Sequence, residues 1–285
     1  IEHNARRPFW VQWFRAFIFE TMFPSRRLLR LNFDLLRWYQ RSGLQKLVRS
    51  LGILKLFPGH LAGLEQLLPD IRNRKHHVAL GSVFPAQGEK KFRVAVMTGC
   101  VMNEIFGDIN QATIRVLQRN GCDVVVPGDQ VCCAALHCHA GIMDTARELA
   151  KKNIVAFEQA EVDAVISNAS GCGAKLKEYG MLLADDKEFA ERATRFSQKV
   201  KDIASFLDGL PSLAKPGELK LRVAYDDPCH LLHAMKVSRP PRNVLRSIPG
   251  LELVELSTPE QCCGSAGIYN ITNYEVFMRI LHGKV

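Results

Sequence analysis

Nine cysteines are the residues of this 285-residue chain best suited to chemistry, and none occurs before Cys100. They fall in an ordered pattern. Cys100 is followed by 31 residues, the adjacent pair Cys132–Cys133, 38 more residues and then Cys172. A second series runs from Cys229 through 32 residues to Cys262–Cys263. Adjacent cysteines bridge each other poorly because the intervening peptide strains the ring, and nine is odd, so a secreted disulfide framework does not fit. In a reducing compartment the same residues read as metal or redox ligands. Four thiolates suit either tetrahedral zinc or an iron–sulfur cluster. The bland alternative is a set of buried structural thiols.

The elements that must position these residues repeat. Arg93-Val94-Ala95 before Cys100 matches Arg222-Val223-Ala224 before Cys229, an offset of 129. Val116-Leu117 before Gly121 matches Val244-Leu245 before Gly250, and Cys132–Cys133 matches Cys262–Cys263 at an offset of 130. Ala140-Gly141 and Ala266-Gly267 follow slightly out of register. Ordered matches at one offset indicate a duplicated domain. The spacing predicts strands at Arg93–Met97, Asp123–Pro127, Asp163–Asn168 and Leu221–Tyr225, with helices at Ile109–Asn120 and Asp144–Gln159. That alternation implies an α/β fold with parallel βαβ units. Cys100, Cys132–Cys133 and Cys172 each follow a strand, at the sheet edge where ligands gather. Gly99, Gly171 and Gly173 flank them and let backbone N–H groups approach sulfur. By the same spacing the second series lacks its last member, so the chain reads as a fragment whose second site is cut short.

Charge divides the chain differently. Residues 1–75 hold 14 Lys/Arg against 5 Asp/Glu and all three Trp, whereas residues 76–285 hold 24 of each sign. The formal charge of +9 therefore belongs to the first segment, where Arg6, Arg7, Arg26, Arg27, Arg30, Arg37 and Arg41 interleave with aromatic residues. Apolar residues recur at three- and four-residue spacing from Arg26 to Val48, so residues 9–75 read as helical, punctuated by Pro24, Gly43, Gly52 and Pro58-Gly59. No stretch reaches the roughly 18 uncharged apolar residues of a membrane span. No nucleic-acid motif accompanies the charge, so nucleic acid is not an expected partner. Packing on a protein partner or on another part of the same protein is the first expectation for residues 1–50, and contact with a membrane surface the second. Polar linkers at 81–91 and 210–218 give three parts: a helical basic connector (1–80), a first cysteine-rich domain (91–209) and a second (220–285).

The stretches Tyr225-Asp226-Asp227-Pro228-Cys229-His230, Cys262-Cys263-Gly264-Ser265-Ala266-Gly267-Ile268-Tyr269-Asn270 and Asn168-Ala169-Ser170-Gly171-Cys172-Gly173 resemble the iron–sulfur subunit family of glycolate oxidase. Residues 24–57, with Tyr39-Gln40-Arg41-Ser42-Gly43-Leu44-Gln45, fit its connecting helices. The repeated cysteine-rich unit also resembles that of heterodisulfide reductase subunits. The resemblance implies an oxidoreductase subunit without its own substrate site. It would pass electrons from the flavin (FAD) of partner flavoprotein subunits, after oxidation of a 2-hydroxy acid such as glycolate, to an acceptor such as a quinone. It implies Cys100, Cys132, Cys133, Cys172, Cys229, Cys262 and Cys263 as ligands of a [4Fe–4S] cluster, with zinc in one domain the other option. A cytoplasmic location follows, peripheral at the inner face of the membrane. The family's upstream ferredoxin-like domain has no counterpart here, since no Cys-x-x-Cys-x-x-Cys run occurs. Ala169 stands where the fuller motif carries another cysteine and Ala134 where it carries glycine. The five-thiolate site of heterodisulfide reductases therefore does not carry over. The competing functions are a heterodisulfide-reductase-like thiol–disulfide subunit and a zinc-stabilised structural domain.

Two cysteines fall outside the pattern. Cys122, beside Gly121 before an apolar strand, reads as core. Cys138, between His137 and His139, reads as a loop thiol with an auxiliary ligand role as the competing idea. His230 and His233, just after Cys229, could hydrogen-bond cluster sulfur or simply begin a helix.

Overall fold

A computed structural model describes residues 8–56, 60–265 and 267–284. Arg6, Arg7, Pro58-Gly59 and Ala266 lie outside the described residues. The connector forms α1 (Phe9–Ala16), a π-helical turn at Phe17–Met22, α2 (Arg26–Arg41), α3 (Leu44–Ser50) and α4 (Leu61–Gln66). Ser25 caps α2 by accepting from the Leu28 N–H at 3.4 Å. Gly43, at φ +86°, turns the chain between α2 and α3 in a conformation that favours glycine. The helical expectation for residues 9–75 ends at Gln66. Beyond it the chain is irregular apart from a 3₁₀ turn at Arg74–His76.

The first cysteine-rich unit is a five-stranded sheet in the order β1 (Val83–Phe84), β3 (Cys122–Val125), β2 (Phe92–Met97), β4 (Ala164–Ser167), β5 (Val200–Asp202). The last four are parallel. Side chains alternate across the sheet. Ala95, Met97 and Val165 face Ile154 and Phe157 of α8 (Met143–Glu158), Leu176 of α9 (Ser170–Lys177) and Phe196 of α11 (Ala190–Lys199). Val94, Val96 and Ile166 face Ile114 and Leu117 of α6 (Gly107–Arg119) and Phe206 of α12 (Ile203–Asp208). Helices on both faces are the usual cover of a parallel sheet. Several elements of this unit go beyond those expected from the sequence, among them β1, α5 and β5. β1 lies inside the predicted 81–91 linker and pairs antiparallel with β3. α5 (Cys100–Ile105) begins at the first cysteine, and β5 closes the far edge. Two or three residues are too few to show a strand period.

The second unit repeats the opening of the first. β6 (Arg222–Tyr225) and β7 (Glu252–Glu255) are parallel, with Arg222 opposite Glu252 just as Arg93 is opposite Asp123. The 129-residue offset read from the sequence thus preserves strand register. Gly121 and Gly250 also share a left-handed backbone, at φ +77° and +78°. A π-helical turn at His230–Ala234 and α13 (Arg239–Arg246) separate the strands, and α14 (Tyr269–Thr272) and α15 (Tyr274–Lys284) follow. Leu231 and Met235 of this unit pack on Ala174 of α9, joining the two units.

Within the connector, Glu65 of α4 is buried and gathers α2 and α3. Its carboxylate accepts from Arg49 Nε at 2.8 Å, Gln45 Nε2 at 2.8 Å and the Tyr39 hydroxyl at 3.2 Å. Burial alone would push this carboxyl up, but the three donors outweigh it and hold it below the ordinary carboxylate value. The stability it confers is present above the unfolded-state pKa and is lost as pH falls through the folded one. Glu65→Gln should therefore cost about 1–2 kcal/mol at neutral pH. Denaturant titration should show that difference shrinking below about pH 4; a constant difference would mean the charge contributes nothing.

Candidate metal centre

Four thiols meet at the carboxyl edge of β2, β3 and β4. Cys100 is the first residue of α5, directly after β2; Cys132 and Cys133 lie on the loop after β3; Cys172 sits in the first turn of α9, after β4. The Cys100 and Cys132 sulfurs are 3.5 Å apart, and those of Cys133 and Cys172 are 3.2 Å apart. Cys132 also hydrogen-bonds its neighbour Cys133, which links the two close pairs. Cys132 and Cys133 are buried, and Ala146, Leu149 and Leu182 pack around the site. Hydrogen bonds from Cys132 and Cys172, helped by the Ala135 N–H, hold Cys133 well below the ordinary thiol value. Cys132 and Cys172 are pushed well up, chiefly by those same bonds and by burial. Among the described residues no three His, Cys, Asp or Glu side chains are already set around a metal position; the thiols stand as two close pairs.

The donor set fits a soft, thiophilic group. Four sulfurs converge in an apolar surround, one of them readily deprotonated, with backbone N–H groups beside them. Gly99, at φ +71°, passes close to the site: a Cβ there would meet Met102 Cβ at 3.0 Å and Cys172 Sγ at 3.9 Å. Ala134, after the cysteine pair, holds a left-handed φ of +67°, and Gly264 holds +77° at the matching place. An alanine in that conformation costs roughly 1 kcal/mol or more. The loop thus keeps its shape even where the motif's glycine is replaced.

Buried amides fix the loops, and sequence reading did not single these residues out for the task. Gln130 Oε1 accepts from Thr98 N at 2.9 Å, and its Nε2 donates to the Val96 and Pro127 carbonyls, both at 3.2 Å. Asn153 on α8 accepts from Val131 N at 2.8 Å and donates to the Cys132 carbonyl at 3.0 Å and to the Tyr179 hydroxyl at 3.0 Å. Tyr179 in turn donates to the Cys133 carbonyl at 3.1 Å. Asn168 donates to Asn110 Oδ1 at 2.9 Å, and Asn110 to the Thr98 carbonyl at 2.9 Å. The signal available in the sequence is a polar residue on an apolar helix face: Asn153 lies among Leu149, Ala150, Ile154 and Phe157.

The other predicted residues fall elsewhere. Cys122 is core within β3, its thiol pushed up to about 11 by burial. Cys138 lies on a helix, α7 (Ala135–His139), rather than on the expected loop; it sits beside Lys175 and packs against the apolar cluster that contains Cys132, but among the described residues no thiol–thiol hydrogen bond joins it to the four. In the second unit Asp227 is buried and paired with Arg242 through bonds of 2.9 and 2.8 Å, which anchors the Cys229 loop. The Asp227 N–H donates to the Pro259 carbonyl at 3.0 Å, tying that loop to the one bearing Cys262 and Cys263. Even so, among the described residues no thiol–thiol contact joins Cys229 to Cys262 or Cys263, and Cys262 is exposed. His230 Nδ1 is 3.9 Å from the Cys229 sulfur, and its ring stacks on His139 with centroids 5.5 Å apart. His233 is exposed.

With two copies of one cysteine-rich unit in place, comparison with known proteins settles the family. Residues 94–177 and 223–285 match the family described as cysteine-rich domain. The chain belongs to that family. Residues 10–68 match the glycolate oxidase iron-sulfur subunit, linker region. The chain is 44% identical over 287 residues to the probable glycolate oxidase iron-sulfur subunit of Bacillus subtilis (strain 168), covering 100% of this chain and 65% of that protein. It is 34% identical to the glycolate oxidase iron-sulfur subunit of Escherichia coli (strain K12), covering 68% of this chain and 48% of that one. It is 33% identical to a fumarate reductase (CoM/CoB) subunit of Methanothermobacter marburgensis, covering 72% and 39% respectively. The chain thus spans between 39% and 65% of the length of these relatives. The resemblance read from the motifs is borne out.

Removing the Asn153 side chain should disturb the cysteine loop directly. Asn153→Leu leaves the Val131 N–H and the Cys132 carbonyl without partners and should cost about 2–4 kcal/mol, whereas Tyr179→Phe should cost about 1 kcal/mol. Chemical denaturation measures both; equal small effects would show that the loop does not depend on Asn153.

Proposed function

We propose that this chain is the electron-transfer part of an iron–sulfur subunit in a flavin-dependent 2-hydroxy-acid oxidase or dehydrogenase complex, with glycolate the substrate of the whole. The convergence of Cys100, Cys132, Cys133 and Cys172 at one sheet edge carries the reading. These four would hold a [4Fe–4S] cluster, which takes up and gives back single electrons. The protein's own contribution is to keep four sulfurs in place, exclude water with Leu149 and Leu182, and supply N–H dipoles that stabilise charge on sulfur. The cavity beside Cys100 and Cys132 has a volume of only 40 Å³, suited to water rather than to an organic acid. Substrate chemistry then belongs to flavoprotein partners, and the names of the Bacillus and Escherichia relatives support glycolate.

Cys229, Cys262 and Cys263 would be ligands of a second site. Its loops are joined through the Asp227–Pro259 backbone bond, but its thiols are apart, so binding would have to draw them together. The chain offers the partners an aromatic surface. Phe9, Trp10 and Trp13 of α1 and Leu35 and Trp38 of α2 are exposed. We assign this face to another part of the complex, with membrane headgroups the second option. No helix among the described residues is long and apolar enough to cross a membrane.

Anaerobic purification of the full-length protein, with iron, sulfide and zinc analysis and EPR after reduction, tests the reading. Cys133→Ser and Cys172→Ser should each lose one cluster's iron and its EPR signal while the protein's other clusters persist. Zinc without iron at this site, or unchanged iron in both variants, would overturn it.

A further inference from the structure

The connector helix α2 reaches into the cysteine site. Arg26 and Arg30 of α2 and Glu104 of α5 line the 40 Å³ cavity whose opposite wall includes Cys100 and Cys132. Arg26 is pinned there: its Nη1 donates to the Gly128 carbonyl, on the loop after β3, at 2.7 Å. Its Nη2 is buried and has no hydrogen-bond partner among the described residues. Buried donors without an acceptor are rare because they forfeit hydration for nothing. An unfilled guanidinium N–H on the wall of a thiolate site therefore points to what that site holds. Glu104 Oε2 and His77 Nε2 beside it are likewise buried without a hydrogen bond among the described residues, but they face each other and Arg30. Arg30 Nε lies 3.8 Å from Glu104 Oε1, and His77 Nε2 lies 3.6 Å from Glu104 Oε2. Asp129, the carboxylate that attracts Arg26, is on the exposed side of the loop, where water screens it. Arg26 is thus a cation that shares one small cavity with two of the four thiols.

We propose that Arg26 raises the reduction potential of the cluster held by Cys100, Cys132, Cys133 and Cys172, with Glu104 acting in the opposite sense. The proposal rests on the cluster reading above. When one electron passes from a reduced flavin-type donor to the cluster, the site gains one negative charge, and no bond or proton changes hands at Arg26. A fixed cation on the wall of so small a cavity stabilises the reduced form more than the oxidised one, so reduction becomes easier. A buried carboxylate does the reverse. Because Arg26 belongs to the connector, docking of α2 would set the potential as well as cover the site.

An EPR-monitored redox titration of the iron-loaded full-length protein tests this. Arg26→Gln should move the midpoint of this cluster to a more negative value, Arg26→Lys should leave it near that of the unaltered protein, and Glu104→Gln should move it to a more positive value. A role confined to packing would lower unfolding temperature without opposite shifts of potential. Midpoints that stay put, or that move in the same direction in Arg26→Gln and Glu104→Gln, would overturn the proposal. Should Arg26→Gln lose its iron, Glu104→Gln decides: without a positive shift the proposal fails. Absence of iron in the unaltered protein would instead refute the cluster reading itself.

Discussion

A sheet edge that carries thiols in its loops has to bury backbone as well as sulfur, and buried backbone must find hydrogen-bond partners. Here side-chain amides meet that need. A carboxamide carries donors and an acceptor on one planar group, so a single residue can satisfy an N–H on one side and a carbonyl on the other. Gln130 does this between the ends of β2 and β3, and Asn153 between α8 and the Cys132–Cys133 loop. Charged side chains in the same places would need counter-ions inside the core. The loops are therefore fixed by neutral groups, and the local electrostatics are left to the thiols and to the few charges at the cavity wall. A site held this way asks for little ordering when a cofactor binds, which favours loading.

The two copies show what that scaffold contributes. Both keep the register between their first two strands and the left-handed residue after the cysteine pair. In the first, β4 and α9 bring Cys172 up to Cys133, and α8 supplies Asn153. In the second, the described residues offer an ion pair, Asp227–Arg242, and the Lys284–Asp226 contact at 2.7 Å instead. The Asp227–Arg242 pair is bidentate and largely buried, yet among the described residues the thiols there stand apart. The first unit is also stiffened by the second. Met235 lies over α9 so closely that a Cβ on Gly173 would fall 2.9 Å from its sulfur. A larger residue at position 173, next to Cys172, would therefore have to displace the Met235 side chain.

Much of this was legible in the sequence, for physical reasons. The strands β2, β3 and β4 are apolar runs buried on both faces, and the repeat exposed their partners in the second unit. Cysteine spacing identified the four thiols that meet. The amide network was not legible, because Gln130 and Asn153 act on residues remote in sequence or on backbone groups, and neither leaves a periodic trace. β1 and β5 are too short to register as strands. The role of Arg26 was hidden for a similar reason: in the sequence it is one arginine among many.

The basic charge of the first segment, taken as a composition, suggested a surface for something acidic. In the fold several of its arginines are engaged. Arg15 donates to the Ala140 carbonyl and Arg26 to that of Gly128, and Arg30 approaches Glu104, all in the cysteine-rich unit, while Arg37 donates to the Arg72 carbonyl within the connector. The connector is latched by a neutral contact too. His137 is fully buried, its Nε2–H donates to the Phe19 carbonyl at 2.7 Å, and burial keeps its ring uncharged. Three residues separate Cys133 from His137, so the connector grips the same short segment that carries the cysteine pair. Guanidinium groups suit this work because each reaches several carbonyl or carboxylate oxygens with one rigid fork. A lysine-rich segment of equal charge would lack that reach. The excess of positive charge is in good part the means by which the connector attaches to the cysteine-rich unit, and only the remainder is available to a partner or a surface.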